Sequence, residues 1–318
     1  MRFKRISISS IVVLAIAVVG LYNFQAISDW YILRNYTPPA RVVELADQTT
    51  MQDKTRQIFY INRPSLDDKQ TFNAHCQASE KTIVLGCFID RQGIYLLDVN
   101  DPRLSGILQV TAAHEVLHAQ YERLSKDEKA RVDKMLEEAY SQVTNERIKT
   151  TIESYRSSGA DVPNELHSIL GTEVENLPGE LEAYYSKYFK NRPQIVQYSK
   201  QYEKAFEDLK KKVEDDDKKL QSLKQSIDAN QNQLEADGED IDSERKRMDS
   251  LLSSRQVEAY NNAVSGFNQM VQSYNRLVAR TKDQIAQYNA LVEERNSVVT
   301  QQEELYKAID SNSVTTKQ

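Results

Sequence analysis

Glycine and proline are scarce in this chain, nine and seven among 318 residues. Both thin out towards the C-terminus, which excludes a turn-rich last third and predicts long helix there. Cysteine is nearly absent. Cys76 and Cys87 are the only two, with no CxxC spacing and no accompanying cysteine–histidine site, so neither reads as a metal ligand or a nucleophile. An excess of positive charge is also missing. A formal net charge of −6 gives no reason to expect nucleic acid as a partner. What remains is 40% hydrophobic residues, enough for one core domain plus something else.

The N-terminus reads as a membrane signal. Arg2, Lys4 and Arg5 precede an uncharged run from Ile6 to Phe24, about the length that a bilayer-spanning helix needs. Basic residues before the run place the N-terminus in the cytoplasm and the rest of the chain outside, in the cell envelope. Trp30 and Tyr31 follow at a position suited to the outer interface. Small-residue cleavage sites ending at Gly20 or Ala26 are weak, and the run is long for a cleaved signal, so a signal anchor is favoured. Outside the cytoplasm Cys76 and Cys87 are expected to pair, the alternative being two buried thiols. Thr37-Pro38-Pro39 marks an extended exit from the membrane.

The chemistry concentrates in Thr111–Tyr121, TAAHEVLHAQY, which carries an HExxH pattern. Residues at i and i+4 share one helix face, so His114 and His118 can reach a single metal ion. Zn2+ accepts such nitrogens and, in a catalytic site, keeps one position for water. Glu115 beside the first ligand can take that water's proton. Ala112, Ala113, Val116, Leu117 and Ala119 give the helix an apolar remainder that packs inward.

Upstream, Val42 to Phe59 has an amphipathic pattern that predicts a helix ended by Asn62-Arg63-Pro64. Thr82–Leu85 and Gly93–Leu97 read as two strands of a hairpin turning at Asp90–Gly93, and Asn100-Asp101-Pro102 opens the HExxH helix. A hairpin followed by a metal-bearing helix resembles the upper half of the zincin metallopeptidases. In that superfamily an edge strand beside the cleft receives a peptide or protein substrate as an added strand. By that resemblance the candidate strand is Gly93–Asp98, unless it is an ordinary sheet edge.

The third ligand separates the subclasses. A metzincin would have glycine at 121 and histidine at 124, where this chain has Tyr121 and Leu124. Downstream, NELHSILG at Asn164–Gly171 follows Pro163 and looks like the gluzincin glutamate helix. The resemblance puts Glu165 in the ligand place, Ser168 in the small place at +3 and Gly171 in the glycine place at +6. Several gluzincin families carry at +4 an aspartate that supports a histidine ligand; here that place holds Ile169. The spacing from His118 is longer than in compact members because a helical insert, Asp127 to Ser157, intervenes. Glu173, two turns beyond Glu165 on nearly the same face, is the rival ligand. His167 reads as a transition-state donor or, preferably, a surface or supporting histidine, and His75 as structural. Tyr184, Tyr185 and Tyr188 with Phe189 form an aromatic stripe, read as core in preference to an oxyanion donor.

From Gln194 the chain is almost wholly polar, with apolar residues in seven-residue steps. Val213, Leu220, Ile227, Leu234, Ile241 and Met248 form one ladder, and Val264, Val271, Val278, Ile285, Val292 and Val299 a second. Such heptads predict a coiled coil. The ladders change phase across Ser253-Ser254, which favours an antiparallel hairpin turning at Leu252–Gln256 over a parallel dimer that self-associates or recruits a coiled-coil partner.

The sequence therefore predicts a transmembrane signal anchor over 1–30 and an α+β zincin-like domain over 31–193, mainly helical with a small sheet. An all-α antiparallel coiled coil over 194–311 and a disordered tail over 312–318 follow. The resemblance implies a zinc metallopeptidase. The alternative is an envelope scaffold or binding module in which the coiled coil carries the function. Glu115 favours catalysis, because a purely structural site has no use for it.

Overall fold

The computed structural model describes residues 23–76 and 83–312. Most of the anchor expected over 1–30, residues 1–22, lies outside these, as does most of the tail. No helix among the described residues is long and apolar enough to cross a membrane. The described residues are mostly helical, with one small three-stranded sheet and a long helical hairpin. It divides into two units, one comprising the residues up to Ala205 and from Leu305 onward, the other Phe206–Glu304.

In the first unit, helix α1 is Phe24–Asn35. The segment expected to form one helix from Val42 to Phe59 is two, α2 (Ala40–Gln48) and α3 (Asp53–Ile61). The break has a tertiary cause. Met51 is fully buried and forms a β-bridge with Phe189, and Thr50 adopts a positive φ of 53° to reach it. Helix α4 (Lys69–His75) starts on the Asp68 side chain, which accepts from Thr71 N.

The sheet orders its strands β1 (Ser65–Asp67), β3 (Gly93–Leu97) and β2 (Gly86–Ile89), with β1 parallel and β2 antiparallel to β3. The hairpin forms with its turn at Asp90–Gln92, but its first strand lies later than Thr82–Leu85. The expectation that Gly93–Asp98 forms the sheet edge is corrected: β3 is the central strand, because β1 pairs with it on the far side. The edge strands are β1 and β2. Cys76 and Cys87 are joined as a disulfide that ties the end of α4 to β2. His75 stacks on Tyr95, ring centroids 4.1 Å apart, as a structural side chain.

After a short 3-10 turn at Pro102–Leu104, helix α5 runs Ile107–Glu122. Its apolar and small residues are buried almost all round, as expected of a helix threaded through a core. Helices α6 (Lys126–Tyr140) and α7 (Glu146–Ser158) form the expected insert. A Ser125/Glu128 capping box starts α6, the Asn145 side chain starts α7, and Gly159 in a left-handed conformation ends it. Helix α8 (Val162–Glu173) begins on the Asp161 side chain with Pro163 in its first turn and packs along α5. Gly171 permits that approach: a Cβ there would stand 2.6 Å from Leu117 Cδ1 and 2.7 Å from Tyr185 Cε1. Helix α9 is Gly179–Tyr185. Helix α10 (Arg192–Ser253) opens within this unit, where Ile195 and Val196 are buried. The end of α11 (Val257–Ile309) belongs here too, with Asn73 donating to Ser311 O.

The second unit is the antiparallel hairpin of α10 and α11. The reversal falls at Ser254–Gln256, with Arg255 at φ 58°. Arg295 bonds Asp217 (3.0 Å), Asn230 bonds Gln284 (2.6 Å) and Lys212 pairs with Glu294, which aligns early α10 with late α11. The seam departs from the expected ladder at one place. Ile285 is exposed and Gln284 takes the inward position against Asn230.

Candidate metal centre

Two helices build the centre. On α5, the i, i+4 spacing sets His114 and His118 side by side, ring centroids 4.8 Å apart. From α8, Glu165 in the first turn reaches between them. Its Oε2 lies 3.8 Å from His114 Nε2 and 3.8 Å from His118 Nε2. One donor atom from each of the three lies within 4.8 Å of the others. Ligands about 2.1 Å from a tetrahedral ion stand roughly 3.4 Å apart, so the two 3.8 Å separations from Glu165 are compatible with one shared ion once the side chains close slightly around it. The side chains of His114, His118 and Glu165 keep 18%, 12% and 18% of their surface exposed, so the group is not fully sealed from solvent.

The protonation states suit a metal. Burial, followed by the nearby His118 and His167, holds the His114 pKa well below its ordinary value, leaving a neutral imidazole with a free lone pair. His118 Nδ1 lies 2.9 Å from Asn164 Oδ1. The amide oxygen accepts, so Nδ1 carries the proton and Nε2 presents its lone pair towards Glu165. The Asn164 amide NH2 in turn donates to Glu122 Oε1 at 3.3 Å. The donor set suits zinc and other borderline divalent ions alike.

Glu115 is outside the three-donor group and is almost fully buried, close to β2 at Gly86. Its carboxyl is raised to about 7, chiefly by burial, with Glu165 adding to the rise and His118 and a hydrogen bond from Phe88 N–H opposing it. Gly86 makes this contact feasible, since a Cβ there would lie 2.8 Å from Glu115 Cγ and 2.6 Å from Thr111 Cγ2. The sheet edge beside the centre is therefore β2.

The other candidate residues fall elsewhere. Glu173 forms an ion pair with Arg147, which also binds Glu203, and is not in the three-donor group. His167 is neither at the surface nor at the centre. It is fully buried, with Nε2 2.9 Å from the Tyr184 hydroxyl, and burial lowers its pKa to about 3. Tyr184, Tyr185 and Tyr188 are buried around it, Tyr185 donating to His167 O and Tyr188 to Tyr184, as core side chains. Ile169, at the place of the supporting aspartate, is buried in the core. Asn164 supplies a supporting contact instead, and sequence reading overlooked it. The available signal was a polar residue directly before the candidate ligand in a helix's first turn. Gly86 and Phe88 were also overlooked, and only the third dimension brings them to Glu115.

No protein-family model matches the chain, no curated protein matches it in sequence, and no solved structure matches it.

Proposed function

We propose that this chain is a membrane-anchored, extracytoplasmic metallopeptidase of gluzincin type, with one zinc ion held by His114, His118 and Glu165. The observation that carries the reading is the meeting of both HExxH histidines with a carboxylate from a separate helix, with Glu115 beside them and outside the ligand group. When bound, zinc supplies Lewis acidity, polarising a carbonyl oxygen and acidifying water. Asn164 holds the His118 ring in the tautomer that offers Nε2. Glu115 serves as general base towards the attacking water and then as general acid towards the leaving amine. The Phe88 N–H and the absence of a side chain at Gly86 fix where that carboxyl sits. Strand β2 offers the sheet edge along which a peptide can be laid. The membrane part of the reading rests on the basic Arg2, Lys4 and Arg5 before the uncharged run Ile6–Phe24.

The test compares the zinc-loaded full chain with Glu115→Gln on a mixture of unstructured peptides. The variant should keep its metal and fold while cleavage falls at least about a hundredfold, the lower range for general acid–base catalysis. Equal cleavage by the variant, or none by the zinc-loaded parent, contradicts the reading.

A further inference from the structure

Helix α1 carries an apolar face that no other described part of the chain covers. Phe24, Ile27, Trp30 and Tyr31 are 70%, 54%, 59% and 62% exposed. Positions 24, 27 and 31 recur at i, i+3 and i+7, and Trp30 adjoins them, so the four residues share one broad face. The helix buries none of its own residues. It is nevertheless held in a definite rotation. Asp29 accepts two hydrogen bonds from Arg123, at 2.7 and 3.1 Å, and α1 lies against α3. Arg123 caps the C-terminal end of α5, so the helix that carries His114 and His118 is itself the anchor point.

Three features identify the occupant of the exposed face. The face begins at Phe24, where the uncharged run from Ile6 ends. Its two largest members are a tryptophan and a tyrosine, amphipathic rings that favour the level of the lipid headgroups. Arg34 lies over the Trp30 ring at 5.4 Å from its centroid, giving the face a cationic edge suited to lipid phosphate.

We propose that the Phe24–Ile27–Trp30–Tyr31 face lies in the interfacial layer of the bilayer, with Asp29 and Arg123 keeping it turned away from the folded unit. The inference rests on the anchored part of the proposed function and is independent of the peptidase part. It leaves the metal-capable group close to the membrane, since His118 precedes Arg123 by about 7.5 Å of helix rise.

Trp30 is the only tryptophan in the chain, so its fluorescence reports on this face alone. The full chain is placed in phosphatidylcholine vesicles, with or without bromine on the acyl carbons nearest the glycerol. The expected result is a blue-shifted emission that is lost in the brominated vesicles and resists aqueous iodide. Emission quenched by iodide and unchanged by brominated lipid, from chain that alkaline carbonate does not extract, overturns the interfacial face and leaves the anchor standing. Extraction by carbonate removes the anchor and the inference with it. Protection from iodide that rises with protein concentration and ignores brominated lipid assigns the face to a second copy, which also overturns the proposal.

Discussion

His118 Nδ1 and Asn164 Oδ1 stand 2.9 Å apart, so one hydrogen bond joins the HExxH helix to the residue directly before Glu165. It sets the imidazole tautomer and the position of the second helix's first turn together. Asn164→Ala should weaken zinc binding about 10–100-fold, the usual cost of losing a partner that orients a ligand. Asn164→Asp keeps an acceptor oxygen and should recover most of that loss. Competition with a chromophoric chelator measures both, and unchanged affinity in the alanine variant would remove Asn164 from the site.

Gly86 touches the other side of the same helix. Gly86→Ala drives a methyl group against Glu115 and Thr111, and overpacking of this kind costs about 1–3 kcal/mol. Any hydrolytic activity should fall with the stability, because the displaced group is the proposed general base. Gly179→Ala, whose Cβ meets open space, is the control and should change neither. Urea unfolding followed by circular dichroism provides the measurement.

Much of the centre is legible in the one-dimensional pattern, because its parts are local. The i, i+4 histidines need only a helix, and Glu165 needs only a second helix whose glycine, Gly171, lets it come close to Leu117. The identity of the sheet edge was not legible. It depends on β1, three residues long and too short to show a period-two pattern, which places β3 in the middle. The interruption between α2 and α3 was hidden for a similar reason. Met51 answers to Phe189, far away in the chain, and not to its neighbours' helical spacing. In the hairpin, the heptads predicted the fold-back but placed Ile285 in the seam, where the polar Asn230–Gln284 pair rotates it outward.

The Cys76–Cys87 disulfide closes a loop with a sequence separation of 11 and fastens the edge strand beside Glu115. Loop-closure entropy for such a span predicts a loss of ~3 kcal/mol in the Cys76→Ser/Cys87→Ser double variant. The midpoint of urea unfolding should fall accordingly. An unchanged midpoint under non-reducing conditions would show that the bridge contributes no stability.

The alignment of α10 with α11 makes a geometric prediction. Leu220 lies between Asp217 and Asn230, and Val292 lies between their partners Arg295 and Gln284. Cysteines at Leu220 and Val292 should therefore crosslink within one chain, and a single cysteine at Val278 should not link two chains. Links only between chains, in every neighbouring register tried, would contradict the hairpin.

The central claim is that His114, His118 and Glu165 act together as one zinc site, and metal stoichiometry tests it most directly. The purified full chain, incubated with zinc and passed through a desalting column, should retain one ion per chain by elemental analysis. The His114→Ala/His118→Ala variant should retain none with its helical circular dichroism intact, and Glu165→Gln should weaken retention far more than Glu173→Gln. One ion per chain surviving in the double histidine variant, or no ion retained by the parent chain, would contradict the account.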